Sequence, residues 1–315
     1  MKDRLIVLTG PTAVGKTAVG LRLAKRLDAE IISADSMQVY RGMDIGTDKI
    51  SREEMQGIPH HLIDILEPTE PFNVVRFQTL AKEAVRDINA RGRIPLLTGG
   101  TAFYIRALLY DTDFTETDED TALRREMEEE VLSGGDAAKE ALHARLSRED
   151  PVSAEMIPKE NVRRVIRALE FFEKTGTPIS EHNKRERAKP SPYDFRYFVL
   201  TDDRAHLYER INERVLRMFE RGLAEEVRGL RDRGVSGEMT SMQGLGYREV
   251  FRALEEGRDP MQVAEKVQQN TRHFAKRQLT WFRAEKDAEM IDKRDYDRSD
   301  ERIAEALECM ISQSR

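Results

Sequence analysis

The chain has 315 residues, of which 35% are charged, with a formal net charge of −6 and a single cysteine, Cys309. That length suits one large α/β domain, or one domain carrying a sizeable insertion. No apolar run approaches a bilayer span, and one thiol excludes a disulfide framework or a cysteine-rich zinc site within the chain. The expectation is a cytoplasmic monomer. An acidic total does not advertise nucleic-acid binding, but phosphates respond to local basic patches and not to the average.

The first strand pattern, Leu5–Thr9, follows Met1 too closely to leave room for a signal peptide. A helical period follows over Lys16–Leu27, then a second strand over Glu30–Ala34. The run FNVVRFQTLAKEAVRDINARG predicts a helix with Asn73 as its N-cap and Gly92 as its stop. Ile94–Gly100 is a third strand ending in two glycines, followed by the helical TAFYIRALLY. Alternation of this kind predicts a parallel sheet flanked by helices. From Asp111 the chain turns acidic, then helical to about Lys174, with breaks at Gly134–Gly135 and EDPVSAEMIP. Phe195–Leu200 returns to strand character, and the remainder reads as mostly helical. These shifts predict a catalytic core of residues 1–114 and 188–315, interrupted by a helical insertion domain at 115–187.

Gly10-Pro11-Thr12-Ala13-Val14-Gly15-Lys16-Thr17 fits G-x-x-x-x-G-K-[ST] between a strand and a helix. Backbone N–H groups at the helix start can wrap phosphate oxygens, Lys16 adds a point charge, and the Thr17 hydroxyl can hold Mg²⁺. The motif signals a polyphosphate without choosing a nucleotide or a reaction. Asp35, Ser36 and Gln38 follow the second strand, on the side where open α/β sheets bind ligands. Asp35 there could hold Mg²⁺ through water, accept a proton from a nucleophile, or only cap a turn. The third strand delivers Gly99, Gly100 and the Thr101 hydroxyl to the same crevice. His60 and His61, being adjacent, suit neither helical metal-ligand spacing nor a triad, and read as loop residues bonded locally.

Together GPTAVGKT, ADSMQVYRGMDIGTDK, PHHLIDI, LLTGGTAFYIRALL, RALEFFEKTG, MQGLGYREV and AKRQLTWFR resemble the bacterial tRNA dimethylallyltransferases, in order, from about Leu5 to Arg283. The resemblance implies a P-loop NTPase-like fold. It also implies transfer of the dimethylallyl group from its diphosphate to N6 of the adenosine 3′ of the anticodon, with Mg²⁺ and without ATP consumption. It makes Asp35 the base and puts Thr101 beside the bridging oxygen. The phosphate loop and Arg214 then hold the diphosphate. It further implies contacts to the tRNA anticodon stem-loop from Asp35, Ser36, Met37, Gln38, Thr101, Gln243, Gly246, Tyr247 and Arg248, and from Arg124, Arg163 and Arg164 in the insertion. Arg163 stands where the family usually has glutamine. In SMQGLGYREV, Gln243, Tyr247 and Arg248 can hydrogen-bond or stack on bases, although a helix–helix turn would use the same glycines.

At about 100° per residue, Gln269, Arg272, Lys276, Thr280 and Arg283 share one side of the Met261–Lys286 helix, within about 80°. Val263, Val267, Phe274 and Trp281 fall opposite and are expected to pack. The polar side would track RNA phosphates. Three other classes are compatible with the phosphate loop: an ATP-dependent small-molecule kinase with an arginine-bearing lid, an adenylate prenyltransferase using free AMP, and a nucleotide-gated RNA-binding switch.

Overall fold

The computed structural model describes residues 2–114 and 122–313. The chain forms two compact units, one of Met1–Leu109 with Pro192–Arg315, the other Tyr110–Ser191. The expected insertion start at Thr115 lies outside the described residues.

The first unit is built on six parallel strands in the order β3-β2-β4-β1-β5-β6. They are β1 (Arg4–Thr9), β2 (Ala29–Ser33), β3 (His60–His61), β4 (Ile94–Gly99), β5 (Asp194–Thr201) and β6 (Ala288–Asp292). β1 sits centrally, hydrogen-bonded to β4 and β5, and is buried from Leu5 through Thr9, as expected for a continuous apolar run between two helical layers. Two strands depart from the sequence expectation. His60 and His61 are not loop residues but a two-residue edge strand beside Ile31 and Ile32, with His61 Nε2 2.7 Å from Glu30 Oε2. A strand that short leaves no periodic signal. β6 falls in a stretch expected to be mostly helical, where no strand was placed; Glu289 and Met290 are exposed, so its sequence lacks the buried-strand look.

Helix α1 (Lys16–Leu27) turns Val19, Gly20, Leu23 and Ala24 inward, the i, i+3, i+4 spacing of one face. That face packs with Ile303, Ala304, Leu307 and Ile311 of α12 (Asp300–Ser312) in one apolar cluster. Arg26, in the last turn of α1, reaches Glu305 at 2.8 Å and Glu308 at 3.0 Å. Helix α2 (Val74–Ala90) starts as expected, with Asn73 accepting from the Arg76 N–H at 2.9 Å. After β4 comes α3 (Ala102–Leu109).

The second unit holds α4 (Ala122–Glu149), α5 (Pro151–Met156), α6 (Val162–Thr175) and α7 (Ile179–Ala188). Its core joins Met127, Leu142 and Leu146 to Val165, Ile166 and Leu169. Gly135 breaks α4 with non-helical φ/ψ, as the double glycine suggested. EDPVSAEMIP is more than a separator: Asp150 caps α5 through the Ser153 N–H at 3.0 Å. The rest of the first unit supplies α8 (Arg204–Glu220), α9 (Leu223–Asp232), α10 (Tyr247–Glu255) and α11 (Ala264–Arg283).

Candidate functional site

The loop from Gly10 to Gly15 joins β1 to α1, and Gly15 caps the helix at φ 101°, a left-handed conformation that favours glycine. A Cβ at Gly15 would also meet Lys293 Nζ at 2.9 Å. The Lys16 ammonium curls over the loop, donating to the carbonyls of Gly10 (3.1 Å) and Pro11 (2.9 Å). Burial draws its pKa down to about 8, helped by the positive charge of Arg214 and opposed by Asp35. Arg214 Nη1 donates to Thr12 Oγ1 at 3.0 Å, whereas Arg217 is exposed and pairs with Glu213. Of these two arginines, Arg214 is the one at the loop. Two further cations that no motif signalled brace the loop from behind. Arg210 Nε donates to the Ala13 carbonyl at 2.8 Å, and the buried Lys293 donates to Val14 O (3.2 Å) and Asp300 (2.8 Å).

The ends of β2 and β4 meet beside that loop. The Ala34 N–H donates to Thr98 O at 2.7 Å, and Thr101 N–H donates back to Ala34 O at 3.1 Å. Asp35 Oδ1 accepts from the N–H groups of Met37 (2.8 Å) and Gln38 (3.3 Å), so it does close a turn. Its Oδ2 has no hydrogen bond among the described residues. The Ser36 N–H donates to Thr101 Oγ1 at 3.3 Å, which ties the Asp35 loop to that hydroxyl. The backbones approach so closely that a Cβ on Gly99 would lie 2.3 Å from Ala34 O and 2.4 Å from its carbonyl carbon. Gly99→Ala therefore forces the β4 end away from Asp35. We expect a stability loss of about 1–3 kcal/mol, the usual overpacking cost, with activity falling further than stability. Denaturant melts alongside turnover check this.

Gln278 of α11 spans the two loops. Its Oε1 accepts from the Thr12 N–H at 2.9 Å, and its Nε2 donates to Gly100 O at 2.8 Å. Sequence reasoning missed it; the signal was an amide on the buried side of an amphipathic helix. Gln278→Met keeps the volume but abandons both partners. We expect it to fold and to lose about 10- to 100-fold in kcat through misplacement of the reacting groups, measured by single-turnover kinetics. These loops border one cavity of about 420 Å³, with Lys16, Thr17, Asp35, Thr101 and Arg214 on its polar side and Ile50, Met218, Leu245 and Val267 among its apolar walls.

The cavity pairs a phosphate loop with a carboxylate and a hydroxyl at neighbouring strand ends. The family profile described as IPP transferase matches residues 38–285, and one described as Isopentenyl transferase matches residues 3–67. The chain belongs to the IPP transferase family. It is 52% identical over 292 residues to the tRNA dimethylallyltransferase of Lachnoclostridium phytofermentans, covering 93% of this chain and 92% of that one. It is 48% identical to the enzyme of that name from Geobacillus thermodenitrificans, covering 94% and 92%. Among solved structures it resembles the tRNA isopentenylpyrophosphate transferase of Bacillus halodurans (TM-score 0.73, 42% identity, 99% and 98% of the two chains). It also resembles a eukaryotic dimethylallyltransferase acting on tRNA (TM-score 0.76, 30% identity, 92% and 74%). The sheet is that of a P-loop NTPase-like fold.

Within this IPP transferase, the remaining predicted residues fall into three places. Ser36, Met37, Gln38, Gln243 and Arg248 line the cavity, and Gly246 caps α10 just beyond it at φ 89°. Tyr247 requires a correction. It is fully buried, its hydroxyl donating at 2.5 Å to Glu226, whose carboxylate also accepts from the N–H groups of Asp44, Ile45 and Gly46. It packs the cavity floor instead of offering an open stacking face. On α11, Lys276 and Arg283 are exposed, while Arg272 is half-buried and bonded to Asn212. Trp281 is the second correction. It is 38% exposed, and Phe282 takes the buried position expected of it. Arg124, Arg163 and Arg164 belong to the 110–191 unit; Arg124 pairs with buried Glu170 at 2.6 Å, and the other two are exposed at the start of α6. Sequence reasoning also missed His60, which lines the cavity with its pKa lowered by burial, and Phe274 and Arg277 of α11.

Proposed function

We propose that this chain moves the dimethylallyl group from dimethylallyl diphosphate to N6 of adenosine 37 in tRNA, next to the anticodon, releasing diphosphate. The observation that carries the reading is the pairing, in one cavity, of a phosphate loop with Asp35, whose second carboxylate oxygen is open. An exocyclic adenine amine is a weak nucleophile. As the N6–carbon bond forms and the carbon–oxygen bond to diphosphate breaks, Asp35 takes the N6 proton. Lys16, Arg214 and the N–H groups at the start of α1 meet the charge gathering on the leaving diphosphate. Thr101, tied to the Asp35 loop through Ser36, borders the reacting centre near the bridging oxygen of the donor.

The donor set suits Mg²⁺ carried in on the diphosphate. Among the described residues no cluster of three acidic, histidine or cysteine ligands exists, whereas Thr17 presents an exposed hydroxyl to the cavity. A hard cation that keeps waters and substrate oxygens needs no more. Bound there, it would neutralise the leaving group.

The target base must leave its stack to enter the cavity, at a cost of a few kcal/mol. Arg248 and Gln243 at the cavity, Lys276, Arg272 and Arg283 on α11, and Arg124, Arg163 and Arg164 in the insertion supply cations and amides for the anticodon stem-loop. Among the described residues no helix is long and apolar enough to cross a membrane, and a tRNA substrate fits a monomer working in the cytoplasm. Incubation with dimethylallyl diphosphate, Mg²⁺ and unmodified tRNA, followed by nucleoside mass analysis, should show a dimethylallyl adduct on adenosine 37. A parallel reaction with ATP in place of the prenyl donor should consume none. An unmodified tRNA pool, or ATP consumption, would refute the assignment.

A further inference from the structure

The chain's only tryptophan is held at the surface rather than buried in the core. The face of α11 that lines the cavity comprises Val267, Thr271, Phe274, Arg277 and Gln278. Trp281 stands four residues beyond Arg277 and seven beyond Phe274, so it continues that face. Its ring meets Phe103 edge-on, with centroids 6.4 Å apart and planes at 74°. Phe103, two residues after Thr101, is 45% exposed and Trp281 38%. The indole is fixed in place: Nε1 donates at 3.1 Å to Glu285, a buried carboxylate that also receives Arg106 at 2.9 and 3.0 Å. Cations lie along this helix, with Arg277 over the Phe274 ring at 5.8 Å on this face and Lys276 exposed one residue earlier, towards the polar side.

A rigid, exposed aromatic pair flanked by cations and continuous with a catalytic cavity is the chemistry of a single-stranded nucleic-acid platform. Every base offers a π-face, and the cations track the backbone. We propose that Trp281, braced by Phe103, stacks an unpaired base of the RNA loop at the cavity mouth, beside the base that enters. This rests on the proposed tRNA substrate and names the surface that receives the loop once it opens.

Because all tryptophan emission comes from this one position, it reports the platform directly. Titration with an anticodon stem-loop RNA should quench the emission saturably, and the same sequence annealed into a full duplex should leave it unchanged. Trp281→Leu should weaken stem-loop binding about 5- to 100-fold, the span for losing one base–aromatic stack, with Trp281→Phe between it and wild type. Both variants should keep the wild-type melting temperature and Kd for dimethylallyl diphosphate. Wild-type RNA affinity in Trp281→Leu, or unchanged emission at RNA concentrations that saturate a filter-binding assay, would overturn the proposal. If Trp281→Leu does not fold, the wild-type quench and the RNA affinity of Phe103→Leu decide in the same way. A wild-type enzyme that prenylates tRNA while Trp281→Leu binds it normally removes only the platform. A wild-type enzyme that makes no prenylated tRNA removes the proposed function instead.

Discussion

Asp35→Asn should lower kcat by about 10²–10⁴-fold, the span for losing a general base, while leaving KM for both substrates near wild type. The amide is isosteric, and its oxygen can still accept from the N–H groups of Met37 and Gln38, so the turn that presents it survives. What it cannot do is take the N6 proton as the new bond forms. Asp35→Ala differs in kind: it also strips the turn of its acceptor, leaving the Met37 and Gln38 N–H groups without one, and so should raise KM for tRNA as well. Single-turnover rates for the two variants, with product read by nucleoside mass, separate chemistry from loop order. A near-wild-type rate for Asp35→Asn would take the base assignment away from this residue.

The chain-order features that govern this site were legible because each is local. β1, the phosphate loop and α1 announce themselves through an apolar run, fixed glycine spacing and a helical period, and Asp35 and Thr101 follow as residues just past strand ends. What was illegible depends on partners far along the chain. Gln278 lies 266 residues from Thr12, whose N–H it accepts, and nothing near position 278 indicates that bond. Lys293 and Arg210 brace the phosphate loop from segments whose sequences read as ordinary charged surface. Tyr247 and Trp281 were misplaced by their residue type. An aromatic beside two glycines suggested hydrogen bonding to or stacking on a base, but Glu226 draws the Tyr247 hydroxyl inward. An aromatic opposite a polar stripe suggested core, but Glu285 holds the Trp281 indole at the surface while Phe282 fills the interior. In both cases a carboxylate decides, and it decides by hydrogen bonding that periodicity does not encode.

The same dependence on surroundings governs Lys16, and it makes donor binding sensitive to alkali. An exposed lysine would stay charged well past pH 9, but burial beside Arg214 brings this ammonium to about 8. A bound diphosphate reverses that environment by supplying negative charge, so the complex retains the proton that the free enzyme releases. Kd for dimethylallyl diphosphate, measured without tRNA so that no transfer occurs, should be flat below about pH 8. Above it, Kd should rise by up to about tenfold per unit, with proton uptake on binding visible as a buffer-dependent heat. Stability moves the other way. Between about 8 and the ordinary value of 10.5, the unfolded chain carries a proton that the folded chain has lost. The Lys16 contribution therefore disfavours the fold below that window and is relieved as pH rises through it. Lys16→Met should abolish both dependences, weaken donor binding at neutral pH, and cost about 10²–10³ in kcat, comparable to losing one donor to a developing oxyanion. The opposed signs make the pair diagnostic: affinity that falls while stability rises, both lost in Lys16→Met, is the signature of one half-buried ammonium that the diphosphate is needed to keep charged. A donor Kd in Lys16→Met that kept the wild-type pH profile would assign the titration to another group.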